Sequence, residues 1–247
     1  MKFLPNLEAP GADLPRRTGL PRFAEVLGRD FWDFFRAGFL ALLGALPFLI
    51  GTAFALWSHV LLFAPLAGLL GGALAGPQLC GLADTVLRGL RDESGFWWVI
   101  YRRAWRRNAR ESLLPGALGG LLLSTQAFLL FHAGALGLNG LTGAGLCAGM
   151  LMVLGLSLYL WPQLALMELS LPQLVKNSAL LFLGQLPRSI AALAVLGGYL
   201  GLMARFYLFL APLLPVTNLW LPVLPALFLI YPGINENFQI EEKLNGT

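Results

Sequence analysis

Residues 91–115 read RDESGFWWVIYRRAWRRNARESLLP (Arg91–Pro115), an arginine-rich and tryptophan-rich island in an otherwise oily chain. Advancing 100° per residue, Trp97, Trp98, Tyr101, Trp105 and Asn108 share one side of a helix. Arg102, Arg103, Arg106, Arg107 and Arg110 occupy the other. A helix split in this way neither spans a bilayer nor suits a soluble core. It is expected to lie flat on the membrane surface, rings at headgroup depth and guanidiniums against phosphates. Spanning would be prohibitive, because each central arginine costs roughly 2.5–3.5 kcal/mol and five would exceed about 12 kcal/mol.

Outward from the island, the chain has the composition of a membrane protein. Of 247 residues, 57% are hydrophobic and 12% charged, and the mean hydropathy is +0.70. A soluble domain would carry about a quarter charged residues. The net charge of +4 is too small, and its basic residues too close to apolar runs, to indicate a nucleic-acid partner. Cys80 and Cys147 fall inside apolar segments without disulfide spacing and read as small packing residues. Residues 1–30 hold prolines and acids where a signal peptide would be apolar, and are expected to form a polar tail. A single transmembrane domain over 31–232 and a second tail over 233–247 follow.

A span needs about 20 apolar residues. Six are predicted: 37–57, kinked at Pro47; 60–83; 113–131; 141–163; 189–208; and 215–231, weakened by Pro222 and Pro225. With six, nearly every Lys and Arg falls on one side: those before the first span, Arg88 to Arg110, Lys176, Arg188 and Lys243. The positive-inside rule then makes both termini cytoplasmic, and only Arg205 falls near the opposite face. The fold class is all-α, polytopic, with two cytoplasmic amphipathic helices at the interface. Ser170 and Gln173 have capping-box spacing and would start the second of these.

Glycines recur every four residues at 68, 72 and 76, at 116 and 120, at 145 and 149, and at 197 and 201. Small-xxx-small faces let helices approach closely in lipid, within one bundle or between two copies as a homodimer. A parallel internal repeat is also visible. Pro77-Gln78-Leu79 and Pro162-Gln163-Leu164 end two spans. Each is followed by an acid (Asp84, Glu168), an amphipathic segment with an asparagine (Asn108, Asn177), and a Leu-Pro pair (Leu114-Pro115, Leu186-Pro187).

Intramembrane chemistry is thin. No Asp or Glu is expected at mid-membrane, which argues against proton or sodium coupling. His59 and His132 fall at outer span ends as interfacial residues. There is no phosphate loop, no His-x-x-x-His pair and no nucleophile elbow. Two histidines cannot build a four-histidine iron site. No enzyme, cofactor or metal is expected, and Asp84, Asp92, Glu93 and Glu111 read as ion-pairing partners of the arginines. The polar residues that could line a site are Gln78, Asp84, Asn108, Gln163 and Asn177.

Residues 75–85 (AGPQLCGLADT), Leu87-Arg88, Arg91-Asp92-Glu93, Phe96-Trp97-Trp98 and Ala104-Trp105 with Asn108 resemble the YesL-like family of bacterial membrane proteins, a domain of unknown function. Trp161-Pro162-Gln163, Lys176-Asn177-Ser178 and Leu186-Pro187-Arg188 resemble its later segment, so the likeness covers roughly residues 31–232. This chain departs from shorter members in an extra apolar stretch between Leu56 and Leu70. The resemblance implies an accessory role beside carbohydrate-uptake systems of the bacterial inner membrane. A carotenoid-oxygenase label carried by some relatives conflicts with the two histidines here.

Two functions follow as expectations. The first is a non-enzymatic accessory protein that contacts anionic headgroups, or a membrane transport complex, through the arginine–tryptophan face. The second is a small permease for sugars or oligosaccharides, with a midplane site between Gln78 and Gln163.

Overall fold

In lipid every backbone N–H and C=O must be satisfied within the chain, so apolar runs of this length become helices. The computed structural model describes residues 18–93, 95–206 and 211–241. Its elements are α1 (Gly19–Ser58), α2 (Phe63–Leu90), α3 (Trp97–Phe131), α4 (Gly140–Leu166), α5 (Leu171–Gly184) and α6 (Leu186–Arg205). A 3-10 turn (Ala211–Leu213), α7 (Leu214–Thr217) and α8 (Trp220–Phe238) complete them. Among the described residues there is no strand. Six helical stretches are long and apolar enough to cross a membrane: α1 to α4, most of α6, and Leu214–Phe238. The protein is an all-α polytopic membrane protein.

The helices overrun the expected boundaries, and the overruns correct the flat-helix expectation. The arginine–tryptophan segment is not a separate surface helix. Trp97 to Phe131 form one unbroken α3 of 35 residues, with Pro115 inside it. At 1.5 Å per residue α3 is about 52 Å long, and α1, with 40 residues, is about 60 Å, against a hydrocarbon layer of about 30 Å. The excess continues as helix beyond a length that the hydrocarbon layer can hold. α1 likewise begins at Gly19, inside the expected tail, and buries Arg22 and Val26; residues 1–17 lie outside the described residues. At the other end α8 reaches Phe238 and Ile240 is buried, so the expected tail from 233 begins as packed structure. Pro47 leaves α1 unbroken. The discontinuity in the last span lies at Asn218, with φ 27°, rather than at Pro222 and Pro225.

A close glycine seam joins α2 to α3. A Cβ on Gly68, Gly72 or Gly76 would strike the carbonyl of Gly120, Gly116 or Ser112 respectively, and one on Gly116 or Gly120 would strike back at Gly72 or Gly68. α1 closes on the same pair, Gly71 against the Phe48 backbone and Gly44 against Gln78. Gly149 meets the Gln126 side chain, whereas Gly145, Gly197 and Gly201 meet nothing within 4 Å. The first half of the chain therefore uses its glycines inside the bundle. α8 packs beside the N-terminal half of α1, with Trp220 on Phe31 and Phe228 on Phe23, both at 5.4 Å between ring centroids. The most apolar windows of α4 and α6 are each only 11% buried, a surface suited to lipid contact.

Charge divides the bundle into two ends. Between Arg36 and Asp84, and again between Glu111 and Glu168, the only ionisable side chains of His, Lys, Arg, Asp or Glu are His59 and His132. About 20 residues cross 30 Å of hydrocarbon. Counting that far along α1 from His59, along α3 from His132 and along α2 from Phe63 reaches Phe39, Ser112 and Ala83. Each lies within three residues of the first charge in its own helix; the contact of Gly44 with Gln78 sets Phe39 level with Ala83, whereas Ser112 lies deeper, level with Gly76, so the membrane boundary falls at the height of Phe39 and Ala83.

Replacing Gly72 with Leu forces a side chain into the Gly116 carbonyl and is expected to cost about 3 kcal/mol or prevent folding. Gly201→Leu meets open space and is expected to change stability by less than about 0.5 kcal/mol. Thermal unfolding of the two variants in detergent checks this, and equal losses would contradict the seam.

Candidate functional site

At the charged end most arginines are engaged by the protein, four of them, Arg22, Arg29, Arg88 and Arg91, in one network of ion pairs. α2 ends at Leu90, and the N–H groups of Arg91, Asp92 and Glu93 turn back onto the carbonyls of Leu87, Arg88 and Gly89. Two arginines of α1 add to these: Arg22 Nη2 donates to Leu90 O at 3.2 Å and Arg29 Nη2 to Gly89 O at 2.7 Å. Both also hold Asp92, Arg22 at 2.6 Å and Arg29 in direct contact. Asp92 sits at φ 62°, the turn that brings its carboxylate back toward α1. Arg88 bridges Asp84 at 2.9 Å and Glu93 at 2.6 Å, and Arg91 meets Glu93 at 2.6 Å. The result is a clasp that fastens the N-terminal half of α1 to the α2–α3 loop. Asp84 is 2% exposed, so it is a buried structural anion rather than a substrate group.

Beyond the clasp, α3 keeps the two faces read from the sequence. Tyr101, Ala104 and Asn108 are buried. Tyr101 Oη donates to Gln78 Oε1 at 2.8 Å, and its ring covers Gly81. The Arg36 guanidinium lies 5.7 Å over Trp97, and Trp98 stacks on Tyr101 at 6.3 Å. The rings thus pack on the protein rather than all among headgroups; Trp98 alone of the Trp97, Tyr101 and Trp105 group is exposed. The indole N–H groups of Trp97 and Trp105 are buried without an acceptor among the described residues.

Arg102, Arg103, Arg106 and Arg110 are exposed and meet no carboxylate among the described residues. Arg107 is diverted: its Nη2 donates at 2.8 Å to the carbonyl of Ala165, one residue before the end of α4. A cation there satisfies an orphan carbonyl and the helix dipole together. Leu40, Gln78, Trp98, Tyr101, Arg102, Trp105 and Arg106 enclose a cleft of about 340 Å³ between α1 and α3.

The remaining sequence-predicted residues are dispersed. Gln163 is fully buried and donates to Tyr159 O and Ser178 Oγ, both at 3.1 Å. Gln78 instead belongs to the α2–α3 contact through Tyr101. Asn177 is half-buried on α5, and Glu168 is exposed in the loop before it. Gln173 accepts from the Ser170 backbone N–H at 3.1 Å, as the capping spacing implies. Cys80 is buried, but Cys147 faces outward. His59 and His132 meet at the far end, His132 Nε2 lying 2.8 Å from His59 Nδ1; spacing in sequence gave no sign of this. Among the described residues no group of three His, Cys, Asp or Glu could hold a metal.

Comparison with protein-family models, with curated proteins and with solved structures gives no match. The functional reading rests on the geometry.

Burial pushes the Asp92 carboxyl upward, but the hydrogen bonds from Arg22 and Arg29 outweigh it and hold the group below the ordinary carboxylate value. A lowered folded value means that the clasp's contribution is complete above the unfolded value of about 3.9 and is lost as pH falls through the folded one. Thermal stability in detergent is therefore expected to stay level from pH 7 to 5 and to drop below about pH 4. Asp92→Asn should lower the plateau by about 2 kcal/mol, because it leaves Arg22 short of its anion. It should also shrink the acid drop; an undiminished drop would remove Asp92 from the clasp.

Proposed function

We propose that the protein is a non-enzymatic, multi-pass protein of the bacterial inner membrane whose charged end lies in the cytoplasm and holds anionic lipid headgroups through α3. One observation carries the reading. Arg22, Arg29, Arg88 and Arg91 are all paired with carboxylates, while Arg102, Arg103, Arg106 and Arg110 stand exposed near the membrane boundary with none among the described residues. Arginines left without anions beside a bilayer are matched to phosphates, which they bind bidentately. The crowding of Lys and Arg at that end supports a cytoplasmic placement, as the positive-inside rule requires. The resemblance to YesL-like proteins supports an accessory role beside a carbohydrate-uptake complex, with the lipid contact fixing the protein's height and tilt.

The permease reading is less well supported. It asks for a polar midplane site shared by Gln78 and Gln163, and each of these is engaged by a different neighbour.

Each arginine at an anionic surface contributes about 1 kcal/mol. Changing Arg102, Arg106 and Arg110 together to Ala should weaken binding of fluorescent phosphatidylglycerol in neutral detergent micelles by roughly 100-fold and flatten its salt dependence. Phosphatidylcholine binding should be unaffected. An unchanged phosphatidylglycerol affinity would sink the proposal.

A further inference from the structure

The cleft between α1 and α3 is more specific than a charged surface needs to be. Its walls are Leu40, Trp98 and Trp105, its floor is the Tyr101–Gln78 hydrogen bond, and Arg102 and Arg106 stand at its lip. The two arginines are four residues apart on one helix, so their side chains start about 5–6 Å apart and can close on a single phosphate. A volume of about 340 Å³ lies within the ~300–1,000 Å³ range of small-ligand sites.

Position identifies the occupant. Leu40 lies just inside the boundary count on α1, and the register that sets Gly76 against Ser112 brings Trp105 level with Ala83 at that boundary and leaves Arg102 outside it, so the cleft straddles the membrane surface. From it exposed leucines of all three helices continue toward the far end of the bundle and could form an apolar trough for a chain. Leu43 follows Leu40 by three residues, Leu74 precedes Gln78 by four, and Leu113 follows Arg106 by seven, spacings that keep one helix face. All three leucines are exposed, at 45%, 55% and 43%. A basic lip on the aqueous side and an apolar trough on the hydrocarbon side complement one amphiphile: an anion carrying an acyl chain.

We propose that this cleft is a one-molecule site for an anionic phospholipid, its phosphate on Arg102 and Arg106 and the head of one acyl chain against Leu40 and Trp105. The proposal rests on the headgroup reading above and adds to it a stoichiometry and a seat for the chain.

Native mass spectrometry of the full chain released from detergent tests it. The wild type is expected to retain one phosphatidylglycerol, saturably, in preference to phosphatidylcholine with the same chains. Leu40→Trp fills the cleft and Trp105→Ala removes a wall, both without touching charge; each should lower that occupancy at least tenfold. Retention unchanged in both variants overturns the site while leaving the headgroup reading intact, whereas an unaffected triple-arginine variant removes the reading itself. Glycerol phosphate competing as well as the diacyl lipid would also overturn it, since it has no chain. Should the variants fold poorly, wild-type protein answers alone: phosphatidylglycerol brominated near the head of its chains should quench tryptophan fluorescence well beyond equally brominated phosphatidylcholine. Equal quenching overturns the proposal.

Discussion

The contact on which the rest depends is backbone against backbone at the α2–α3 seam. Gly68, Gly72 and Gly76 lie so close to the Ser112, Gly116 and Gly120 carbonyls that no side chain fits between them. In lipid there is little hydrophobic gain from joining helices, so close packing of this kind supplies the association. It also sets rotation. From the line of Gly116 and Gly120, the 100° step carries Ser112, Asn108 and Tyr101 to one flank of α3 and Arg102, Arg106 and Arg110 to the other. The first flank is buried and the second exposed.

The clasp resolves a problem that the seam creates. A hairpin of two long helices projects beyond the bilayer, where water competes for the last carbonyls of α2. Arg22 and Arg29 of α1 cover Leu90 O and Gly89 O, and Asp92 neutralises both arginines in turn. A buried ion pair is weak evidence for stability by itself, since desolvation offsets much of the attraction. Here its value is positional. It fixes α1 beside the start of α3, and so brings Leu40 opposite Trp98 and Trp105 to make the cleft.

The helical class, six apolar helices and the two faces of α3 were legible in the sequence because they follow from period and composition. The flat-lying expectation failed at one point. Amphipathicity says which side of Trp97–Arg110 is polar, but not whether the helix ends before Leu113, and α3 runs on through Pro115 as one element. The clasp was hidden for a related reason. Residues Gly19 to Asp30 contain too many charges to read as packed structure, until Asp92 supplies an anion from 70 residues away. Arg107 was grouped with the lipid-facing arginines by its angle alone; its bond to Ala165 needs the position of α4. The meeting of His59 and His132 likewise depends on two helix ends coinciding in space.

The two halves show how one sequence signal can give different structures. Pro-Gln-Leu occurs in the middle of α2 and again near the end of α4. After Pro77 the helix continues to Leu90 and α3 follows as one rod; after Pro162 it stops at Leu166, and the next segment breaks at Gln185 between α5 and α6. The difference tracks the glycines. α2 and α3 carry matched rows that meet, while Gly145, Gly197 and Gly201 meet nothing within the chain. The seamed pair runs on as two long helices, whereas the second half, whose glycines at 145, 197 and 201 meet no neighbour, is divided into shorter ones. A binding cleft holds its geometry best on rigid elements. The basic cleft lies on the seamed half, where α1, α2 and α3 supply its walls and the clasp keeps them in register.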